Sequence, residues 1–323
     1  MSERILEVEN LAVSIPVSAG LLRPVQGISL HVDRGETLCI VGESGCGKSL
    51  TSLAIMDLLP KKAKRTASHI RLAGEELGDA SERAMADIRG NRMSMIFQEP
   101  MTSLNPAYTV GNQLAEALKR HKQVTDAEAR DRAIYLLEKV GITAAASRLG
   151  QYPHQLSGGL RQRVMIAMAL MCGPDLIIAD EPTTALDVTI QAQILHLLAE
   201  LQDEFDMGLV LITHDLGVVA GLCDRILVMY AGEAVECGSV EQIYYDPRHP
   251  YTKGLLDSVP RLDQPEDKAL HAIPGNPPNL LSLPEGCKFR DRCPKAFEAC
   301  KQTPPMQLTE DRHAFRCFLG APE

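Results

Sequence analysis

Gly42-Glu43-Ser44-Gly45-Cys46-Gly47-Lys48-Ser49 sets three glycines, a lysine and a hydroxyl in the order G-x-x-x-x-G-K-S. Glycines at such spacing let successive backbone N–H groups turn inward on an anion, beside a helix N-terminus that adds partial positive charge. Lys48 would reach the β- and γ-phosphates of a nucleoside triphosphate, and the Ser49 hydroxyl would ligate Mg²⁺. Leu50 follows directly and completes the candidate triphosphate-binding run. A plain glycine turn is the alternative, but an apolar strand before and an apolar helix after favour the phosphate loop. A second constellation closes the apolar run Leu176-Ile-Ile-Ala-Asp180-Glu181. Two carboxylates at the C-terminal end of a buried strand stand where α/β sheets bind ligands. Asp180 would hold the Mg²⁺ shell, and Glu181 would polarise an attacking water.

A third group is chemically different. Cys287, Cys293, Cys300 and Cys317 have five, six and sixteen residues between them. Four thiolates gathered in a proline-rich segment suggest a metal group that substitutes for a hydrophobic core. Structural zinc prefers C-x₂₋₄-C pairs, tighter than anything here. A four-iron, four-sulfur cluster is larger and suits the wider spacing, and Cys293 is followed by Pro294 as in ferredoxin-type runs. Lys288, Arg290, Arg292 and Lys295 would surround the anionic thiolates with positive charge. The expectation is a 4Fe-4S cluster, with Zn²⁺ or unliganded redox thiols as alternatives. The other five cysteines (Cys39, Cys46, Cys172, Cys223, Cys237) are scattered and read as small buried hydrophobes.

These groups need a scaffold. Residues 36–42, 93–97, 175–180, 208–214 and 225–232 read as mostly buried strands. Residues 47–59, 126–141, 157–172 and 188–205 carry helical period. Strands alternating with helices predict a mainly parallel sheet. The first 35 residues, with VEN, VSI and ISLHV between turn residues, predict a small antiparallel sheet. After about residue 250 prolines recur and periodicity fades, which predicts a separate loop-rich extension. The fold class expected is therefore α/β: a P-loop NTPase core with an antiparallel β subdomain and an inserted helical subdomain, plus a loop-rich C-terminal extension. The domain boundaries expected are 1–250, with the helical part near 99–160, and 251–323.

Composition excludes several classes. The chain of 323 residues has a formal net charge of −9, so it lacks the basic surface of a general nucleic-acid or anionic-membrane binder. Its longest apolar run, the nine residues Val164 to Cys172, is about half of what a bilayer span needs. MSERILEVENL is too charged for a signal peptide. A cytoplasmic protein is expected, with any membrane role supplied by a partner.

Between the two triphosphate elements sits Leu156-Ser157-Gly158-Gly159-Leu160-Arg161-Gln162-Arg163. This resembles the signature sequence of ATP-binding cassette (ABC) proteins, and Ser157, Gly158 and Gly159 open a helix as an anion site would. Further motifs follow in the family's order. Gln98 resembles the glutamine that senses Mg²⁺, Ala185-Leu186-Asp187 the loop across the dimer interface, and His214 the switch histidine at the γ-phosphate. Glu99-Pro-Met-Thr-Ser-Leu-Asn-Pro106, His249-Pro-Tyr-Thr-Lys-Gly-Leu-Leu256 and Pro274-Gly-Asn-Pro-Pro278 resemble the ATPase subunits of dipeptide, oligopeptide and nickel permeases, whose tails also carry cysteines.

The resemblance implies an ATPase that uses ATP and Mg²⁺ to drive import of di- or oligopeptides or related solutes. Glu181 and His214 would be catalytic, Gly42 to Leu50 and Gln98 ATP-binding, and Ser49, Gln98 and Asp180 the Mg²⁺ set. Ser157, Gly158 and Gly159 would reach the ATP of a second subunit, with Asp187 in the dimer loop. The partners implied are a second ABC ATPase subunit in a heterodimer, two transmembrane permease subunits and an extracytoplasmic solute-binding protein, with no nucleic acid. The location implied is the cytoplasmic face of the inner membrane. Near Gln98, Tyr108 and Val110 read equally as a groove for a partner helix or as core. Two departures from the family stand out: Ile15 occupies the place of the adenine-stacking aromatic, and Leu160 replaces a common glutamine. A soluble, non-transport ABC ATPase is the alternative function, and an ATPase-inactive regulatory module is opposed by the full motif set.

Overall fold

The computed structural model describes residues 3–99, 103–184, 186–259 and 272–320. Its strands are β1 (Arg4–Val17), β2 (Gly20–Asp33), β3 (Thr37–Val41), β4 (Lys64–Thr66), β5 (His69–Leu72), β6 (Glu75–Glu76), β7 (Met93–Ile96), β8 (Leu176–Asp180), β9 (Gly208–Thr213), β10 (Arg225–Tyr230), β11 (Glu233–Ser239), β12 (Gln307–Leu308) and β13 (Ala314–Phe315). The chain divides into two compact units. One comprises Met1–Leu6, Val32–Glu36 and Asp79–Leu211; the other comprises Glu7–His31, Thr37–Gly78 and Ile212–Glu323.

In the second unit β1 and β2 form a long hairpin with residues 18 and 19 at its tip, and their burial alternates as a sheet with one covered face requires. β4 pairs antiparallel with β1 (Ala12 opposite Thr66), and the sheet continues β2-β1-β5-β6. This is the antiparallel part expected of the first 35 residues, extended by strands near 64–76. A second set runs β12-β13-β11-β10-β3, with β10 parallel to β3 and the others antiparallel. Every residue of β3 is buried, so its apolar run needs no alternation.

In the first unit the order is β9-β8-β7, with β7 and β8 parallel, Ile96 opposite Ala179. All five residues of β8 are buried, including Asp180 at its end. The stretch between β7 and β8 is helical, with helices Val110–Lys119, Asp126–Lys139 and Gly158–Ala169. Thr125 and Glu128 close a reciprocal capping box at the second of these. Val110 is buried, whereas Tyr108 is exposed, so only the tyrosine is available to a partner. The apolar run Val164 to Cys172 is mostly the interior part of the helix Gly158–Ala169, and no described helix is long and apolar enough to cross a membrane.

The tail is loop-rich as expected, yet it also adds strands. Between 272 and 320 lie short 3₁₀ turns, and β13 pairs with β11 to extend the second unit's sheet, Phe315 opposite Glu236. Phe315 and Phe289 are buried, and Phe289 packs on Tyr230 and Tyr251 with ring centroids 5.2 and 5.4 Å apart. Proline frequency alone concealed this packed aromatic core.

Candidate functional site

The glycine loop leaves β3 and turns into the helix Lys48–Ile55. Gly42 and Gly47 have φ of 155° and 108°, and added Cβ atoms would stand 2.2 Å from the Met229 carbonyl oxygen and 2.1 Å from that of Pro24. Only glycine lets the loop lie this close to its backing. Lys48 is buried, and its Nζ donates to the carbonyl oxygens of Gly42 (2.8 Å) and Glu43 (3.2 Å). The ammonium is thus held across the mouth of its own loop, where phosphate oxygens can replace those carbonyls. Ser44 and Gly45 are exposed, Ser49 and Leu50 are half-buried, and burial raises the Cys46 thiol pKa.

Four residues tie this loop down that motif reading did not find. The Glu43 N–H donates to Tyr251 Oη at 2.9 Å. Arg292 grips the Glu43 carboxylate with both terminal nitrogens, at 2.6 and 2.9 Å. Met229 and Pro24 back the glycines. No local pattern predicts a contact between residues 249 positions apart.

In the first unit Glu181 follows β8 with φ 45°, a left-handed backbone unusual for a residue with a Cβ. Its Oε2 accepts from Gln98 Nε2 at 2.9 Å and from Thr184 Oγ1 at 3.0 Å. The structure therefore brings Gln98 and Glu181 together, and adds Thr184. Asp180 is 5% exposed beside it. The oxygen donors of Ser49, Gln98 and Asp180 suit Mg²⁺ in type.

Ser157 caps the helix Gly158–Ala169, its hydroxyl accepting from Leu160 N–H. A Cβ on Gly159 would stand 3.2 Å from Ile190, and one on Gly158 would stand 3.5 Å from Leu186. The signature thus packs on the segment around Asp187, which is exposed just before the helix Val188–Phe205. Ala185 lies outside the described residues. His214 follows β9 and is exposed, and Ile15 is half-buried in β1.

The four tail cysteines form no disulfide and line one cavity, together with His249 and Phe289. Burial pushes the Cys287 thiol up to about 11. The cavity has room for about one water molecule, and among the described residues no three His, Cys, Asp or Glu side chains are placed to hold a metal ion. As placed, the described side chains therefore make no metal site, although the four thiols converge. Of the five scattered cysteines, Cys39 and Cys46 are buried, and Cys172, Cys223 and Cys237 are only half-buried.

Comparison with known proteins bears on both halves. The ABC transporter family matches residues 25–184, and the C-terminal region of oligopeptide/dipeptide transporters matches residues 235–300. The dipeptide transport ATP-binding protein DppD of Bacillus subtilis is 53% identical over 319 residues, 98% of this chain and 95% of its own. The oligopeptide transport ATP-binding protein OppD of Salmonella typhimurium is 50% identical over 99% of this chain and 95% of its own. Among solved structures, the dimeric post-hydrolysis cassette MJ0796 with ADP and phosphate superposes with a TM-score of 0.65 at 27% identity, covering 73% of this chain and 99% of that one. The cassette fold, the full-length similarity and the matched tail agree: the chain belongs to the ABC transporter family of ATPases, in its oligopeptide/dipeptide transporter branch.

Proposed function

We propose that the chain is the nucleotide-binding subunit that powers an importer of di- or oligopeptides. The observation that carries this reading is that similarity to peptide-transport ATP-binding proteins runs through the tail as well as the cassette. Cassettes that act on DNA or ribosomes give no reason for a tail of this kind.

The boundaries we adopt are 1–250 for the cassette and 251–323 for the extension. The loop Gly42 to Leu50 binds the triphosphate, with Lys48 moving from its own carbonyls to the β- and γ-phosphates. Mg²⁺, when bound, neutralises charge developing on the phosphates. Ser49, Gln98 and Asp180 would supply its protein-side oxygens. Glu181, oriented by Gln98 and Thr184, draws a proton from the attacking water as its oxygen bonds the γ-phosphorus and the bond to ADP breaks. His214 contacts the γ-phosphate. Ser157, Gly158 and Gly159 complete the site of an opposing ATPase subunit, which Asp187 borders, so hydrolysis requires a pair. We take that pair to be a heterodimer at the cytoplasmic face of the inner membrane, with two permease subunits and an extracytoplasmic binding protein. The four convergent thiols support a structural or regulatory 4Fe-4S cluster, for which Cys287, Cys293, Cys300 and Cys317 would be the ligands.

Purification of the tagged full chain from native membranes tests the transport reading. Recovery of two membrane subunits, with ATPase activity that rises on addition of peptide-loaded binding protein, is the expected result. Recovery of ribosomes or DNA without membrane subunits overturns it.

A further inference from the structure

Glu43 is an unlikely residue to find in a loop that binds a highly charged anion. Its carboxylate sits at the first variable position of the phosphate loop, one residue after Gly42 and five before Lys48. Left free, it would repel a triphosphate held by the same loop. It is not free: Arg292 Nη1 and Nη2 meet its two oxygens at 2.6 and 2.9 Å, a forked pair with the arginine side chain only 6% exposed.

All of the arginine's donors are engaged. Nη1 also donates to Tyr230 Oη at 3.4 Å, Nη2 to the Ile273 carbonyl at 3.5 Å, and Nε to the Pro274 carbonyl at 2.9 Å. A planar group with five fixed donors fits this cradle and an ammonium does not. The loop is gripped a second time through Glu43 N–H and Tyr251 Oη, and Tyr251 packs against Phe289, three residues before Arg292. Both grips come from outside the phosphate loop and from the C-terminal part of the chain.

We propose that Arg292 is a positioning residue for ATP: by neutralising and clamping Glu43, it makes the cysteine-bearing tail part of the nucleotide site and sets the affinity for the triphosphate. The inference rests on the phosphate-loop role of residues 42–50. Arg292 touches no nucleotide in this account and acts only through Glu43. A purely architectural arginine, holding Ile273 and Pro274, would give a different mutational pattern.

The test is calorimetric titration of the full-length chain with MgATP, alongside steady-state hydrolysis. Arg292→Met is expected to weaken MgATP binding about tenfold, appearing as a raised KM with kcat changed little, because a carboxylate is left unpaired beside the phosphates. In a Glu43→Gln background the same Arg292→Met change should cost less than about threefold, so that the double variant binds MgATP about as well as Glu43→Gln alone and better than Arg292→Met. Rescue of this kind is the signature of action through Glu43. Unchanged binding in Arg292→Met, or a double variant as weak as Arg292→Met, overturns the proposal while leaving the nucleotide site intact. A parent chain that binds no MgATP overturns the phosphate-loop reading itself. Should Arg292→Met fail to fold, Arg292→Lys keeps the charge but loses the fork; it is expected to bind less tightly than the parent and to be rescued by Glu43→Gln, and parent-like affinity overturns the proposal.

Discussion

Glu181 shows how much a single residue is asked to do. It holds a left-handed backbone at φ 45°, a conformation that costs of order 1 kcal/mol or more for a residue with a Cβ. Its carboxylate is fixed between Gln98 and Thr184. Strain retained at a strand end, beside a buried aspartate, supports the general-base role proposed for Glu181. Glu181→Gln keeps the shape and both hydrogen-bond partners but cannot take a proton. It is expected to lower ATP hydrolysis by at least about 100-fold while MgATP affinity stays within about threefold, measured by phosphate release and by calorimetry. Glu181→Gly should be equally inactive, yet relieved of backbone strain it should melt no lower than Glu181→Gln. A Gln variant that hydrolyses ATP at the parent rate would remove Glu181 from the chemistry.

Elements differed in how far their residues disclosed them. The helix Val188–Phe205 has the bounds its apolar period predicts, and it stops at Asp206, which takes φ 48°. The helix after the phosphate loop ends at Ile55 rather than Leu59, because Asp57 turns left-handed and breaks the pattern locally. Buried strands were legible because β3, β8 and β9 are continuous apolar runs. The junction of tail and sheet was hidden, since it depends on a long-range network. Glu236, fully buried on β11, accepts from Arg248 N–H (2.6 Å) and His249 N–H (2.9 Å), and lies 2.8 Å from His313 Nε2. His249 in turn caps the helix Pro250–Asp257, its Nδ1 accepting from Tyr251 N–H at 3.1 Å, and therefore needs a neutral ring. Burial lowers its pKa to about 4, with the Glu236 charge opposing the shift. Because the unfolded value lies near 6.5, the unfolded chain takes up this proton first as the pH drops. Stability present above about 6.5 is lost down to about 4, on the order of 2–3 kcal/mol. Denaturant midpoints measured between pH 7.5 and 4.5 should show this loss, and His249→Asn, which can still cap the helix, should abolish most of the slope.

At the scale of the whole molecule, the motor is common property and the tail is what sets this chain apart. The MJ0796 cassette is matched over nearly its full length by 73% of the chain, so about a quarter of the protein has no counterpart there. The motor was legible in the sequence because phosphate chemistry demands glycines, a lysine and carboxylates at fixed spacings. The tail was legible as a loop-rich, cysteine-bearing extension with motifs of the family, but not as a packed one. Convergence of its cysteines around one cavity depends on backbone turns such as that at Gly286, where an added Cβ would stand 2.5 Å from the Lys301 backbone. The cavity they line has room for about one water molecule. Two states are open to these thiols: unliganded, or as thiolates that would hold a 4Fe-4S cluster. Iron, zinc and acid-labile sulfide measured after strictly anaerobic purification decide between the two states. About four iron and four sulfide per chain, lost in Cys293→Ser together with a drop in melting temperature, is the outcome expected of a cluster that substitutes for core. No metal, with melting unaffected by Cys293→Ser, would make the unliganded thiols the functional form, and one zinc would make the tail a structural zinc site. ATP hydrolysis would survive in either case, because no step of phosphoryl transfer runs through the cysteines.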